Sequence, residues 1–341
     1  MAGNESKKGI SRRGFLKGAA VGASALAITG GMVGKTQAAV PPKKWDRKTD
    51  VIVAGAGGAG LMAAVRAADG GAKVVVFQKS PTVYTSSTTV SGGLFAAAGT
   101  RAQKEKGIED TPEKFYQDFM KNGGYMNIPE LARLLTKNSV TVFEWLVDNG
   151  LPAFRFEAYP GHSVLRGHRS NKNNGRDLVD TVYSQVKKRK IPVELGTEVT
   201  KLYVDPKGRV IGVEASKAGK KMNVQASRAV VVACGGFVRD AATFDSWVPA
   251  YSGVGNLTGD PGNVGQGIKM MSKDAGGFPT HLQYSGTYPY GLEMSPRSGP
   301  VCRYWYFTPV GGILVNKNGK RYVNEMIPPT KLTLALAEQP D

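Results

Sequence analysis

Gly55, Gly57 and Gly60 stand in the spacing G-x-G-x-x-G within DVIVAGAGGAGLMAAVRAADGGAKVVVFQK, residues 50–79. That spacing brings a backbone close to a pyrophosphate. Gly55 makes the tight turn, Gly57 lets the chain approach the phosphates, and Gly60 lets a helix pack on a strand. The N–H groups at the helix start, with their partial positive charge, face the anion. Gly58, Ala59 and Lys79 count in the same site. The end of the second strand, which usually carries an acid for the ribose hydroxyls, carries Gln78. An amide accepts that hydrogen bond without charge assistance, so dinucleotide binding is expected to survive at lower affinity. His162 and His168 fall in Gly-His-Ser and Gly-His-Arg, read as one loop, and with Arg166 and Arg169 form a basic cluster ahead of a helix. A spacing of six with no third ligand is poor for a metal, and none is expected. Two Cys exclude a disulfide scaffold and a Cys-x-x-Cys metal or haem site.

These residues need elements to hold them. The apolar run 51–54 reads as a buried parallel strand, 61–68 as a helix stopped by Gly70-Gly71, and 73–77 as a second strand. A glycine motif that leaves a strand and enters a helix within about 30 residues is a specific dinucleotide signature. Thr111-Pro112-Glu113 opens a helix that ends at Gly123-Gly124. Ile128-Pro129-Glu130 opens a longer one through Leu131, Leu134, Leu135, Val142, Trp145 and Leu146, whose apolar positions are expected in the core. Residues 177–188 form a third helix. A strand is expected near 192–195, a hairpin over 201–215 around Asp205-Pro206-Lys207-Gly208, and a second hairpin at Lys317-Asn318-Gly319-Lys320.

Four further segments carry a resemblance: SSTTVSGGLFAAAGT (86–100), AVVVACGGF (229–237), TGDPGNVGQG (258–267) and GGILVNKNGKRYVNE (311–325). With the glycine motif, their order and spacing resemble the flavoprotein subunit of the fumarate reductase/succinate dehydrogenase family, in particular exported flavocytochrome c fumarate reductases and related enoate reductases. The resemblance runs from about Asp50 to about Glu325. It implies FAD as cofactor and an α/β fold: a Rossmann-like FAD-binding domain with the start of an α+β capping domain. It implies that Ser91, Gly92 and Gly93 approach the flavin and its phosphates. It further implies that Thr197-Glu198-Val199 meets the adenine through backbone groups, that 230–234 is a buried strand, and that Ala233, Cys234, Gly235 and Gly236 close over the dinucleotide. Cys234 stands where the family usually has Thr and reads as a space-filler, with a redox role as the alternative. A Cys234–Cys302 disulfide has no support from spacing and none against it. His168-Arg169 matches a family His-Arg pair beside the flavin, implying that it holds the flavin or an anionic substrate.

The catalytic segments depart from the family. Its Gln-x-His-Pro-Thr reads here Gln283-Tyr284-Ser285-Gly286-Thr287, with Ser285 in place of His. Its Thr-Glu pair falls near Tyr304-Trp305. No Arg follows Asn324-Glu325, and Lys331 is the nearest cation, either a substitute proton donor or a solvated side chain. A dicarboxylate clamp is not visible, so fumarate is not expected as substrate. The aromatic run 304–307 suggests a pocket for a larger or flatter acceptor, or ordinary core packing. Lys331, Ser285, Thr287 and Tyr304 are the catalytic candidates.

The chain has 341 residues, 41% hydrophobic and 21% charged, with 44 Gly and no G-X-Y period, which excludes disorder and collagen. Ser-Arg-Arg-Gly-Phe-Leu-Lys at 11–17, a weakly apolar stretch over 18–34 and Thr36-Gln37-Ala38-Ala39 form the pattern of a twin-arginine export signal. Export implies a periplasmic or extracytoplasmic location, passage through the twin-arginine translocase, a cofactor loaded beforehand, and no nucleic-acid partner. Removing residues 1–38 takes away six basic and one acidic residue, leaving about +13 of the formal +18. That charge would receive an anionic cofactor or an acidic redox partner, or merely keep the surface soluble. The expected organisation is signal 1–38, linker 39–48, FAD-binding domain 49–278 and capping domain 279–341. The last is expected to be C-terminally incomplete, because the resemblance stops inside it. The function expected from the resemblance is reduction of an activated C=C bond of a small acceptor by hydride from flavin N5. Electrons would come from a separate cytochrome c or quinol-linked donor, since no Cys-x-x-Cys-His is present. The alternatives are a ring-ketone dehydrogenase of ketosteroid-dehydrogenase type and a flavin-binding fragment without turnover.

Overall fold

Alternation along the first strand organises the interior. In β1 (Arg47–Ala54), Val51 and Val53 enter one apolar cluster with Leu61, Val65, Val76, Val179 and Val182. Ile52 and Ala54 enter another, on the opposite face, with Phe77, Val199, Val213 and Met270. A strand buried on both faces needs apolar residues at every position, which is why it reads as a continuous run.

The computed structural model describes residues 39–159, 161–251, 259–286, 291–293, 300–302, 312–325, 327 and 329–339. The export stretch 1–38, Thr287 and Tyr304 lie outside the described residues. After β1 come α1 (Gly58–Asp69), β2 (Val74–Gln78), α2 (Ser87–Val90), β3 (Leu94–Ala96), α3 (Arg101–Glu105), α4 (Pro112–Asn122) and α5 (Pro129–Asp148). There follow β4 (Phe154–Glu157), β5 (Gly167–Ser170), α6 (Arg176–Lys188), β6 (Val193–Leu195), β7 (Thr197–Val204), β8 (Val210–Lys217) and β9 (Lys220–Val232). The described elements end with α7 (Ala241–Trp247), α8 (Gln266–Ala275), β10 (Gly291–Glu293), β11 (Pro300–Cys302) and α9 (Pro329–Ala337).

The main sheet has the order β6-β2-β1-β9-β8-β7, parallel from β6 to β9 and antiparallel from β9 to β7. Helices α1 and α6 supply one apolar cluster and α8 joins the other. A second sheet, β3-β5-β4, is antiparallel. This is the expected α/β class with a Rossmann-like parallel core. The helix at 112–122 is built as read, with Thr111 Oγ1 accepting from the Lys114 amide at 3.1 Å and Pro112 in its first turn.

Four expectations change. The 39–48 linker is fastened down: β1 begins at Arg47, the Val204 amide donates to the Ala39 carbonyl at 3.4 Å, and Trp45 packs edge-on to Tyr203. Only the end of the apolar stripe of α5, Trp145 and Leu146, packs in the core as expected. Leu131, Leu134, Leu135 and Val142 are exposed, while Ala132, Thr136, Ser139, Phe143 and Leu146 are buried. The buried hydroxyls bond within the helix, Thr136 to the Ala132 carbonyl at 3.0 Å and Ser139 to the Thr136 carbonyl at 2.9 Å, so they enter the interior at little cost. The 230–234 stretch is half-buried, and its strand stops at Val232. The Lys317–Lys320 turn closes a single bridge, Val315 to Arg321, rather than a two-stranded ladder.

A buried charge network stands just before β5 in the chain. The Arg166 side chain has no exposed surface. It donates to both oxygens of Asp110, from Nε at 2.8 Å and Nη2 at 2.9 Å, and from Nη1 to Asp118 at 2.6 Å.

Candidate functional site

β1 runs into the glycine turn. Gly55 has φ +107°, and a Cβ there would strike the Ala233 carbonyl, so only glycine fits. Its amide donates to the Phe77 carbonyl at 2.8 Å, and the Ala233 amide donates to the Ala54 carbonyl at 2.8 Å, which ties the turn between β2 and the end of β9. Gly57 is the N-cap of α1, extended, with no side-chain cap and no acid in the first turn. No acid in the first turn opposes the positive end of the helix. A Cβ on Gly57 would meet only Ser86 Cβ at 3.6 Å, and one on Gly236 would meet nothing within 4 Å. The protein's own packing requires neither residue to be bare, and both leave room for a ligand against the backbone. This cradle fits the pyrophosphate of a dinucleotide.

Gln78 is buried and tied inward. Its Oε1 accepts from the Ala56 amide at 3.2 Å and its Nε2 donates to the Thr82 carbonyl at 3.2 Å. Gln78→Glu keeps the first bond, loses the second and gives the ribose a charged acceptor. FAD should bind about fivefold tighter, roughly 1 kcal/mol, while the apo-protein melts at a lower temperature. Fluorescence titration of apo-protein with FAD checks this; weaker binding would show that Gln78 serves the turn alone. Lys79 pairs with Glu198 at 2.9 Å. The Val199 carbonyl accepts from Gln266 Nε2 at 2.9 Å, so the segment expected at the adenine is braced from α8.

The second wall is α2 and the segment after it. Thr88 Oγ1 accepts from the Gly58 amide at 3.1 Å. Gly93 has φ +66°, and a Cβ there would strike the Asn174 carbonyl. Ser91 Oγ donates to the Thr88 carbonyl at 2.7 Å, and the Gly175 amide donates to the Ser91 carbonyl at 3.0 Å. The third wall is 233–236. Cys234 is free, which removes the disulfide alternative. Burial, with the Glu198 carboxylate, pushes its thiol up to about 11, which suits a space-filler. Sequence reasoning missed the residue that joins these walls. Asn263 is buried, donates to Ser87 Oγ at 2.6 Å and accepts from the Gly236 amide at 3.2 Å. It lies in the TGDPGNVGQG segment, and no residue of that segment was singled out.

His162 and His168 do not share a loop. His168 is in β5, 2% exposed, with Nε2 at 3.0 Å from Thr100 Oγ1 and Nδ1 at 3.0 Å from the Arg166 carbonyl. Its ring packs on Phe143 and Phe156, and burial pushes its pKa down. His162 is pushed down to about 4 by burial and the Arg166 charge. Nor is there a basic cluster: Arg166 is neutralised by Asp110 and Asp118, and Arg169 by Glu157. Ser285 sits half-buried in a loop after α8, and Lys331 is exposed on α9. Among the described residues neither makes a hydrogen bond or ion pair to the cradle, and no group of three or more His, Cys, Asp or Glu is placed to hold a metal. No described helix is long and apolar enough to cross a membrane.

The sequence matches the FAD binding domain family over residues 50–340. The chain belongs to that family. The cofactor of this FAD binding domain is FAD. It is 33% identical over 292 residues to the fumarate reductase (cytochrome) of Shewanella frigidimarina, covering 85% of this chain and 50% of that one. It is 26% identical to the acrylate reductase flavoprotein subunit of Shewanella woodyi, covering 93% and 64%. Among solved structures, the 3-ketosteroid-Δ4-(5α)-dehydrogenase of Rhodococcus jostii superposes with TM-score 0.70 at 25% identity, covering 87% and 65%. The FAD binding domain described here thus spans half of the first relative's length and less than two thirds of the second's.

Proposed function

We propose that the chain is the FAD-holding part of an exported reductase acting on an activated C=C bond of a small enoate-type acceptor. The observation that carries this reading is the convergence of three glycine-lined walls on the start of α1, where Gly57 supplies no side-chain cap. When bound, FAD would supply the hydride from N5. This chain's residues do the rest of the work at the cofactor: α1 and Gly57 receive the pyrophosphate, Gln78 the ribose, and 91–93 and 233–236 the remaining faces. Relatives that reduce fumarate and acrylate support the acceptor class. The departures at Ser285 and Tyr304-Trp305 favour a monocarboxylate or a larger acceptor over fumarate. The electron donor proposed is a separate cytochrome c or quinol-linked protein, supported by the cytochrome-linked fumarate reductase relative. The periplasmic or extracytoplasmic location and the translocase rest on the 11–39 pattern. Ring-ketone dehydrogenation is the second reading, favoured by the ketosteroid dehydrogenase likeness.

Purified protein should be yellow and should oxidise a reduced dye when offered acrylate-like enoates. Turnover only with ring ketones would transfer the reading to the second. FAD binding with no turnover on any acceptor would leave a flavin-holding fragment. Lys331 is the proposed proton donor, with Ser285, Thr287 and Tyr304 as the proposed acceptor wall. Lys331→Ala should lower kcat about 100-fold with FAD binding unchanged; an unchanged kcat removes Lys331 from the chemistry.

A further inference from the structure

Arg155 on β4 and Arg169 on β5 are direct cross-strand partners. Two like charges facing each other on one sheet face destabilise it. Glu157, two residues along β4 and so on the same face, lies between them. Its carboxylate takes Arg169 in a two-pronged grip, with Oε1 accepting from Nη2 at 2.7 Å and Oε2 accepting from Nε, and Arg155 Nη2 stands 3.5 Å from Oε2. The grip leaves Arg169 Nη1, which donates to the Gly92 carbonyl at 2.7 Å. The Arg169 side chain is 6% exposed, and a Cβ on Gly92 would stand 2.6 Å from Nη1. Gly92 belongs to the wall whose Thr88 receives the Gly58 amide of the cradle. The guanidinium expected to hold an anion is thus committed to the back of that wall.

We propose that Glu157 is a positioning and charge-balancing residue of the FAD site, acting through Arg169 on Gly92. This rests on the reading of the cradle as the FAD site. A planar guanidinium gripped at two atoms is fixed in orientation, so it sets the height of the Gly92 carbonyl. The same grip cancels its charge. Without Glu157, an uncompensated cation would sit behind the wall and stabilise reduced, anionic flavin. Without Arg169, an uncompensated anion would do the reverse.

The test compares wild type, Glu157→Gln, Arg169→Gln and the double variant, each reconstituted with FAD. The readouts are FAD affinity, the flavin midpoint potential and the melting temperature of the apo-protein. Glu157→Gln should weaken FAD about tenfold and shift the oxidised/reduced ratio tenfold toward reduced flavin, about +30 mV for two electrons. Arg169→Gln should shift the potential the other way, and the double variant should return toward wild type. A merely structural pair would move both potentials alike, and that result, or no movement in either, overturns the proposal. A wild type that takes up no FAD instead overturns the reading of the cradle.

Discussion

Arg166→Met should cost about 3–5 kcal/mol of stability near neutral pH, the usual penalty for stripping one partner from a buried charge network. Methionine fills much of the volume and still packs on Phe115, whose ring the guanidinium overlies at 4.9 Å, so the loss reports charge rather than a cavity. What remains is Asp110 and Asp118 without their shared cation. The pH dependence has a definite sign. Burial pulls the Asp118 pKa upward, but the Ser163 amide and hydroxyl and the Arg166 guanidinium together hold it below its ordinary 3.8. A carboxyl with a depressed folded pKa contributes stability that is complete above the unfolded value and is lost as pH falls through the folded one. The wild type should therefore weaken below about pH 4, while the variant, whose Asp118 has lost its cation, gains relatively from protonation. Urea unfolding should show a lower midpoint with a similar slope near neutrality and a narrowing gap in acid. Equal midpoints near neutrality would mean that the network contributes nothing to folding.

Gly60→Ala should abolish FAD binding at micromolar concentrations, a loss beyond about 1,000-fold or roughly 4 kcal/mol. A methyl there would run into the Gly55 carbonyl and stand 3.2 Å from Ala233 Cβ. Both are fixed parts of the turn, so α1 must back away from β1 and carry its N–H groups off the phosphates. Helix propensity opposes this effect, since alanine outscores glycine by about 1 kcal/mol in a helix, so a stabilised protein that still bound FAD would refute the packing argument. Gly57→Ala is the comparison. Its methyl finds ordinary contact with Ser86, so the apo-protein should melt as before and only FAD affinity should fall.

The dinucleotide half of the molecule was legible because its determinants are local. A strand buried on both faces shows as an apolar run, and a turn that admits only glycine shows as Gly55 and Gly60. The long helix was half read. Its ends follow from Pro129 and Asn149-Gly150, but its buried face did not, because Leu131, Leu134 and Leu135 outweigh Thr136 and Ser139 in any hydrophobic count. Those two hydroxyls pass as apolar only once their bonds to the helix backbone are known. The three-stranded sheet left little trace, since β3 and β5 are three and four residues long and β5 reads Gly-His-Arg-Ser. Arg166, Arg169 and His168 read as a cluster awaiting a ligand because their partners Asp110, Asp118, Glu157 and Thr100 lie distant in sequence. Asn263 was invisible for the same reason: an amide that joins Ser87 to Gly236 has no periodicity.

That amide also orders events during synthesis. The stretches around Gly57, Thr88, Gly236 and Asn263 are scattered across more than half of the chain, and the parallel neighbours β1 and β9 cannot pair until the latter has left the ribosome. Nothing resembling a closed receptacle exists on a nascent chain until Asn263 has emerged, and long-range pairing of this kind is slow. Capture of the prosthetic group therefore follows synthesis of β9 and Asn263, and a stalled ribosome releasing only the first 230 residues should yield a colourless product however much riboflavin the cell supplies.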